Sequence, residues 1–327
     1  MNIEAFRQYL QETHSAYKKW GIYVAQRIEE SLKAAGLSAG FIKIPVTPRV
    51  KAVESALGKL GRKGYTNPLQ QMTDLVGVRF VVLLSEEVKI VCDIIQGEDS
   101  WDASLSRDIE EQIKKNTKIF DYQSQHYEVR PRQSLVLDGE TITPDMCCEI
   151  QVRTLLQHAY AEMVHDNIYK PTGLVPIKAE RHVARSMALM ETTDELFSQT
   201  MGYLKEANTP RVEFLKDITA IYRDKIGGQH LAADDKSAAV LIDEFREQLS
   251  DGLASDISAL LDCKKYIPLK ITSRAASVPL FNQAAVLFVY WLALKHDTDD
   301  LVKRWPLPGY LNSLETILSD LDRRPSR

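Results

Sequence analysis

The chain has 327 residues, 44% of them hydrophobic and 26% charged, with 15 glycines and 13 prolines. That composition supports a sizeable core and excludes wholesale disorder, a collagen-like repeat and a low-complexity chain. A net charge of −4 excludes a strongly cationic coat protein for nucleic acid, although residues 1–65 carry eleven Lys and Arg against five Asp and Glu, which suits an anionic ligand or a solvated helix face.

Phe6, Leu10, Tyr17, Trp20, Ile28 and Leu32 recur near every 3.6 residues, so residues 3–35 read as helix. The stretch lacks the apolar core of a signal peptide. Residues 36–48 hold Gly36, Gly40, Pro45 and Pro48 and break it. Residues 49–62 read as a short basic helix and 74–84 as a β-branched strand. Residues 85–95 return to helix with Ser85 at its N-cap. Residues 98–117 are polar and read as surface loop or helix. Strand-like pieces follow at 126–130, 134–137 and 146–152, with Asp138-Gly139 as a hairpin turn. Thr154 caps a helix to about residue 169, and another spans about 178–206.

Beyond 208 the pattern is helical throughout, with helices near 211–226, 235–250, 253–264, 280–295 and 308–322. The longest apolar run, Ala284–Leu294, falls well short of the ~20 residues a membrane span needs and reads as a buried core helix. No membrane is expected, and the reading is a soluble, cytoplasmic protein. Cys92, Cys147, Cys148 and Cys263 have no CxxC spacing, which argues against a disulfide framework or a cysteine zinc site. The expected fold class is α+β: a small mixed sheet flanked by helices over residues 1–207, then an all-helical region over 208–327.

Four stretches carry polar groups in patterns that suit chemistry. In 49–59, Lys51, Ser55 and Lys59 recur every four residues and would share one helical face, a cationic ladder suited to a polyphosphate. In 74–79, Asp74 stands at the mouth of an apolar strand, well placed for Mg²⁺, and Arg79 lies within that strand, where a buried arginine needs an anionic partner. In 118–126, Tyr122 offers a stacking face between Lys118 and His126. In 149–153, alternation puts Glu149, Gln151 and Arg153 on one face of a strand, an arrangement that is costly in a core unless that face opens on a site. Each stretch alone has a plainer reading: a solvated basic face, a turn aspartate, a core tyrosine, an edge strand's outer face. Together, two carboxylates, a cation cluster and an aromatic loop suggest metal-assisted phosphoryl-type transfer. GxxxxGK[ST], GxGxxG, GxSxG and HExxH are all absent.

In this order and spacing, RVKAVESALGKL, DLVGVRFV, KIFDYQSQH and EIQVRTLLQHAYAEMVHDNIYK resemble the synthetase domain of the RelA/SpoT family of nucleotide pyrophosphokinases, over roughly residues 45–170. The resemblance implies a nucleotidyltransferase-like fold and transfer of the β,γ-pyrophosphate of ATP to the 3′-hydroxyl of GDP or GTP, making (p)ppGpp and releasing AMP. It implies that Arg49, Lys51, Ser55, Lys59 and Arg79 hold ATP. Asp74 and Glu149 would be the catalytic carboxylates and Mg²⁺ ligands, with Glu149 sharing the metal or taking the proton. Tyr122 would stack on the acceptor base, Lys118 and His126 would meet its phosphates, and Gln151 and Arg153 would line the site.

One departure concerns the acceptor. The family's Asn-Gly before the tyrosine is Phe120-Asp121 here, which adds a stacking surface and an acidic group beside an anionic substrate. The overall length resembles the small synthetases of the family with an added helical segment after 207. Some relatives of that kind are toxins that modify the 3′ end of tRNA, and the same chemistry on tRNA is the second reading. A catalytically inactive nucleotide sensor is the third. Residues 208–327 could serve as an oligomerisation module for identical copies, a sensor or a cap.

Overall fold

Asn2 opens the first helix by accepting a 2.7 Å hydrogen bond from the Ala5 N–H, so α1 spans Ile3–Glu12 and α2 spans His14–Ala34. The single helix expected over 3–35 is therefore two. Thr13 separates them, folding its hydroxyl and its N–H back onto the Tyr9 carbonyl. The protein is described from a computed structural model over residues 2–38, 40–108, 111, 114, 124–164, 168, 174–232 and 235–325. It divides into two compact units, Met1–Met201 and Gly202–Arg327.

In the first unit, β1 (Arg49–Val50), β2 (Val76–Val82), β3 (Trp101–Arg107), β4 (Gln125–Pro131) and β7 (Cys148–Thr154) form one sheet in the order β1-β2-β7-β4-β3. β2 and β7 run parallel and the other pairs antiparallel. Helices α3 (Val53–Lys63), α4 (Pro68–Gln71) and α5 (Ser85–Gly97) lie between the strands in sequence. One face of the sheet is apolar: Val76, Val78, Phe80, Val82, Cys148, Ile150, Val152, Tyr127 and Val129 are all buried. It packs on α2 and α5. Trp20 and Trp101, both fully buried, meet edge to face at 6.2 Å, a contact worth about 0.5–1.5 kcal/mol beyond the area it buries. The helix comes very close to the strand at Gly21, where an added Cβ would lie 2.7 Å from Val76 Cγ2.

The short hairpin β5 (Leu135–Leu137) and β6 (Glu140–Ile142) turns at Asp138 and Gly139, both at positive φ, as an Asp-Gly hairpin turn requires. Among the described residues its two strands pair only with each other. At the end of β7, Thr154 accepts from the Gln157 N–H and starts α6 (Leu155–Val164). Tyr160 and Val164 of α6 bury against Met187 of the next helix, α7 (Ile177–Lys225).

Three further expectations change. Residues 101–107 are an edge strand rather than loop or helix. Its alternate residues face solvent, so it carries no apolar signal. The cap of α5 is Leu84, with Ser85 inside the first turn, and the Glu87 carboxylate accepts from both the Leu83 and Leu84 N–H groups. The helices expected at 178–206 and 211–226 are one, continuing through Pro210. Arg246 donates to the Ala207 carbonyl, one residue from the carbonyl that the proline leaves without its helical donor.

The second unit is helical throughout its described residues: the last part of α7, α8 (Asp235–Glu244), α9 (Leu253–Cys263), α10 (Tyr266–Ala275), α11 (Val286–Lys295), α12 (Thr298–Lys303) and α13 (Leu311–Asp320), with short 3₁₀ turns. The apolar run of the sequence is α11. Val286 to Tyr290, Leu292 and Ala293 are all buried, ringed by Phe214, Ile218, Leu241, Ile257, Ile271 and Leu314 from the surrounding helices. A helix apolar on every side must sit at the centre of its layer. Among the described residues no helix is long and apolar enough to cross a membrane.

Candidate active site

The second face of the sheet is polar, and the register lays it out in rows. Arg49, Gly77, Glu149, Glu128 and Ser104 stand side by side across β1, β2, β7, β4 and β3. The next row holds Arg79, Gln151 and His126. Gly77 has no side chain and leaves the floor open between Arg49 and Glu149.

Asp74 sits two residues before β2 and is the focus of the cations. Lys51 Nζ lies 2.6 Å and Lys59 Nζ 2.9 Å from the same oxygen, Oδ2. Lys51 does not share a helical face with Ser55 and Lys59 as expected. Its N–H bonds the Leu75 carbonyl in continuation of β1, and α3 begins only at Val53. The two lysines converge from different elements, while Ser55 remains exposed on α3. Burial pushes the Asp74 carboxyl up, but the hydrogen bonds and charges of Lys51 and Lys59 outweigh it and hold the group below its ordinary range. Asp74 Oδ1 is buried and has no hydrogen-bond partner among the described residues.

Glu149 is bound at both oxygens: His126 Nδ1 lies 3.3 Å from Oε1 and Gln151 Nε2 donates to Oε2 at 2.8 Å. Burial again raises the carboxyl, and the His126 contact and the Gln151 bond outweigh it, so Glu149 also stays below the usual range despite the nearby Asp74 charge. The structure thus brings together Lys51, Lys59 and Asp74 in one group, and His126, Glu149 and Gln151 in another.

Arg79 is not buried. Its side chain is 42% exposed and donates to Glu162 Oε1 at 2.9 Å, because its face of β2 is the open one. The buried arginine is Arg153, 2% exposed, with Nη2 4.0 Å from the same Glu162 oxygen. His158, one turn before Glu162 on α6, places Nδ1 3.6 Å from it. Burial and the Arg153 and Arg79 charges lower the His158 pKa. Sequence reasoning passed over His158 and Glu162. Their i, i+4 spacing directly behind Arg153 was the available signal. It also passed over Glu128, whose alternation with His126 and Arg130 marks one strand face. Lys118 and Tyr122, with Phe120 and Asp121, lie outside the described residues.

Residues 48–173 match the family model described as the region found in RelA / SpoT proteins. The chain is 29% identical over 164 residues to GTP pyrophosphokinase YjbM of Bacillus subtilis (strain 168), covering 50% of this chain and 74% of that protein. Among solved structures it is similar to a GTP pyrophosphokinase family protein from Streptococcus pneumoniae, at 25% identity and a TM-score of 0.50 over 63% of this chain and 97% of that one. It is also similar to small alarmone synthetase 1 from Bacillus subtilis, at 22% identity and a TM-score of 0.49 over 62% of this chain and 99% of that one.

Proposed function

Residues 48–173 form a RelA/SpoT-type domain, and from that premise we propose that the protein transfers the β,γ-pyrophosphate of ATP to the 3′-hydroxyl of GDP or GTP. The observation that carries the reading is the open, polar sheet face. It gathers Arg49, Arg79, His126, Glu149 and Gln151 in two rows, with Asp74 and its two lysines at the margin.

The residues divide into a donor side and an acceptor side. Arg49, Lys51, Lys59 and Arg79 supply the positive charge that a triphosphate requires, and Ser55 shares the α3 face with Lys59. In the free protein these cations are held by acids: Lys51 and Lys59 by Asp74, and Arg79 by Glu162. Phosphate oxygens can exchange for those partners, so the charges are prepositioned at little cost. The acceptor oxygen attacks the β-phosphorus, the bond to the α–β bridging oxygen breaks, and AMP leaves with that oxygen. Glu149 is ionised at neutral pH, its low pKa maintained by His126 and Gln151, and in that form it accepts the proton of the 3′-hydroxyl. His126 and Gln151 fix its rotamer. Little covalent chemistry is asked of the protein, so most of the acceleration comes from alignment and charge.

The donor set also fits Mg²⁺, which prefers oxygen ligands and uses one or two protein carboxylates besides substrate phosphates. Asp74 Oδ1, buried and without a hydrogen-bond partner, is the available oxygen, and Glu149 is the second carboxylate on this face. When bound, the ion would neutralise charge on the transferred phosphates.

The test is incubation of the purified protein with Mg²⁺ and γ-labelled ATP in separate tubes with GDP, GTP, ATP and deacylated tRNA. Label on GDP or GTP, lost in Glu149→Gln by on the order of 10²–10⁴-fold, is the expected result. Label on tRNA alone would replace the acceptor and keep the chemistry. Label on nothing would sink the proposal.

A further inference from the structure

Glu128 lies directly opposite Glu149 on the neighbouring antiparallel strand and on the same open face. Cβ atoms of such pairs stand about 4.5–5.5 Å apart, and like charges in that position destabilise a sheet. Glu149 is compensated by His126 and Gln151. Glu128 is not: among the described residues no hydrogen bond or ion pair reaches its half-buried carboxylate. The nearest same-face cation along β4, Arg130, is committed elsewhere, to the carbonyls of Asp145 and Gln70. A metal ion is not what the pair is arranged for. Among the described residues no three ligating side chains converge anywhere, so Glu128 adds no third ligand to Asp74 and Glu149.

What remains is a substrate that brings neutral hydrogen-bond donors to two adjacent carboxylates. A ribose with free 2′- and 3′-hydroxyls has that chemistry, because its vicinal hydroxyls fit within the reach of two neighbouring glutamate side chains. Resting on the function proposed above, which sets Glu149 at the 3′-hydroxyl, we infer that Glu128 accepts a hydrogen bond from the adjacent 2′-hydroxyl and selects ribose over 2′-deoxyribose acceptors. The same geometry serves a guanine nucleotide or the terminal ribose of an RNA, since both present the diol.

The experiment measures kcat and KM for wild type, Glu128→Gln and Glu128→Ala with ATP, Mg²⁺ and paired acceptors: GDP and 2′-deoxy-GDP, GTP and 2′-deoxy-GTP, and tRNA ending in adenosine or 2′-deoxyadenosine. Wild type should prefer the ribose form by roughly ten- to a hundredfold in kcat/KM, the range of one hydrogen bond to a charged group. Glu128→Ala should lose that factor on the ribose acceptor and keep its rate on the deoxy acceptor, with Glu128→Gln between them. Equal losses on both forms, or no loss on either, would overturn the inference. If the alanine variant does not fold, the wild-type ratio still decides, since equal use of ribose and deoxyribose acceptors overturns it too. Wild-type protein inactive on every acceptor would instead overturn the proposed function, and this inference with it.

Discussion

Asp74 in the first unit and Asp320 in the second are built from the same parts and finished differently. Each is a carboxylate facing two cations, and in each the cations and hydrogen bonds overcome burial to hold the group below its ordinary pKa. Asp320 is closed. Arg274 reaches both of its oxygens, Lys270 Nζ lies 3.3 Å from Oδ1, Tyr290 donates to Oδ2 at 2.7 Å, and the side chain is only 5% exposed. Asp74 is open: both lysines crowd Oδ2, Oδ1 has no partner among the described residues, and the side chain is 21% exposed. An ion pair with every lone pair filled holds helices together. One with a buried oxygen left over still has an acceptor to offer, and the difference cannot be read from residue types alone.

Substitution of each aspartate should separate the two roles. Asp74→Asn should lower pyrophosphate transfer on the order of 10²–10³-fold, the cost of removing one preorganised electrostatic group from a site. Its unfolding free energy should stay within about 1 kcal/mol of wild type, as expected for a partly exposed pair. A normal rate in Asp74→Asn, measured with labelled ATP, would mean that the open oxygen is incidental. Asp320→Ala should do the reverse. It strands Arg274 against a buried core and should cost about 3 kcal/mol, the lower end for breaking a buried pair, read by denaturant unfolding. Hydrogen exchange should accelerate at the amides of α11, which carries Tyr290. A variant as stable as wild type would show that the closed network contributes specificity and not stability.

Much of the sheet and of the candidate site was legible before the fold was known, and the rest failed for identifiable reasons. β2 and β7 announce themselves because one face is apolar and the other reads Glu149-x-Gln151-x-Arg153. The convergence of Lys51 and Lys59 on Asp74 was invisible, because helical spacing explained Lys51 equally well and only the pairing of β1 with β2 takes it out of the helix. Arg79 was expected to be buried because its sequence neighbours are apolar. In a strand, neighbours face opposite sides, and it is Arg153, under α6, that is buried. β3 was missed as a polar edge strand. α10 falls in the gap left between the helices expected at 253–264 and 280–295: Pro268 suggests a break there, although it stands in the first turn of that helix, where a proline costs little.

A third aspartate sharpens the comparison, because among the described residues no cation pairs with it. Asp194 on α7 is 4% exposed, and its partner among the described residues is neutral: the Thr154 hydroxyl donates to Oδ2 at 2.6 Å. Burial raises its pKa from 3.8 to about 6, against the opposing effect of that hydrogen bond. The sign follows. A raised folded pKa means that the folded state holds the proton more tightly than the unfolded chain does. Below about pH 4 both states are protonated and the group contributes nothing. Between about pH 4 and 6 stability falls as pH rises, and above 6 the folded state carries a constant cost of at most about 3 kcal/mol, two pKa units at 1.36 each. Asp74 and Asp320, with lowered values, work in the opposite direction and lose stability as pH falls through their folded pKa. Asp194→Asn keeps an acceptor for Thr154 and removes the charge, but it sets an amide N–H where Oδ1 had no partner, which takes back part of the gain. The variant should therefore be more stable than wild type by about 1–2 kcal/mol at pH 8 and no more stable at pH 4. Paired urea melts at the two pH values measure it. A difference that is the same at both would show that Asp194 is ionised throughout and that its environment is more polar than its burial implies.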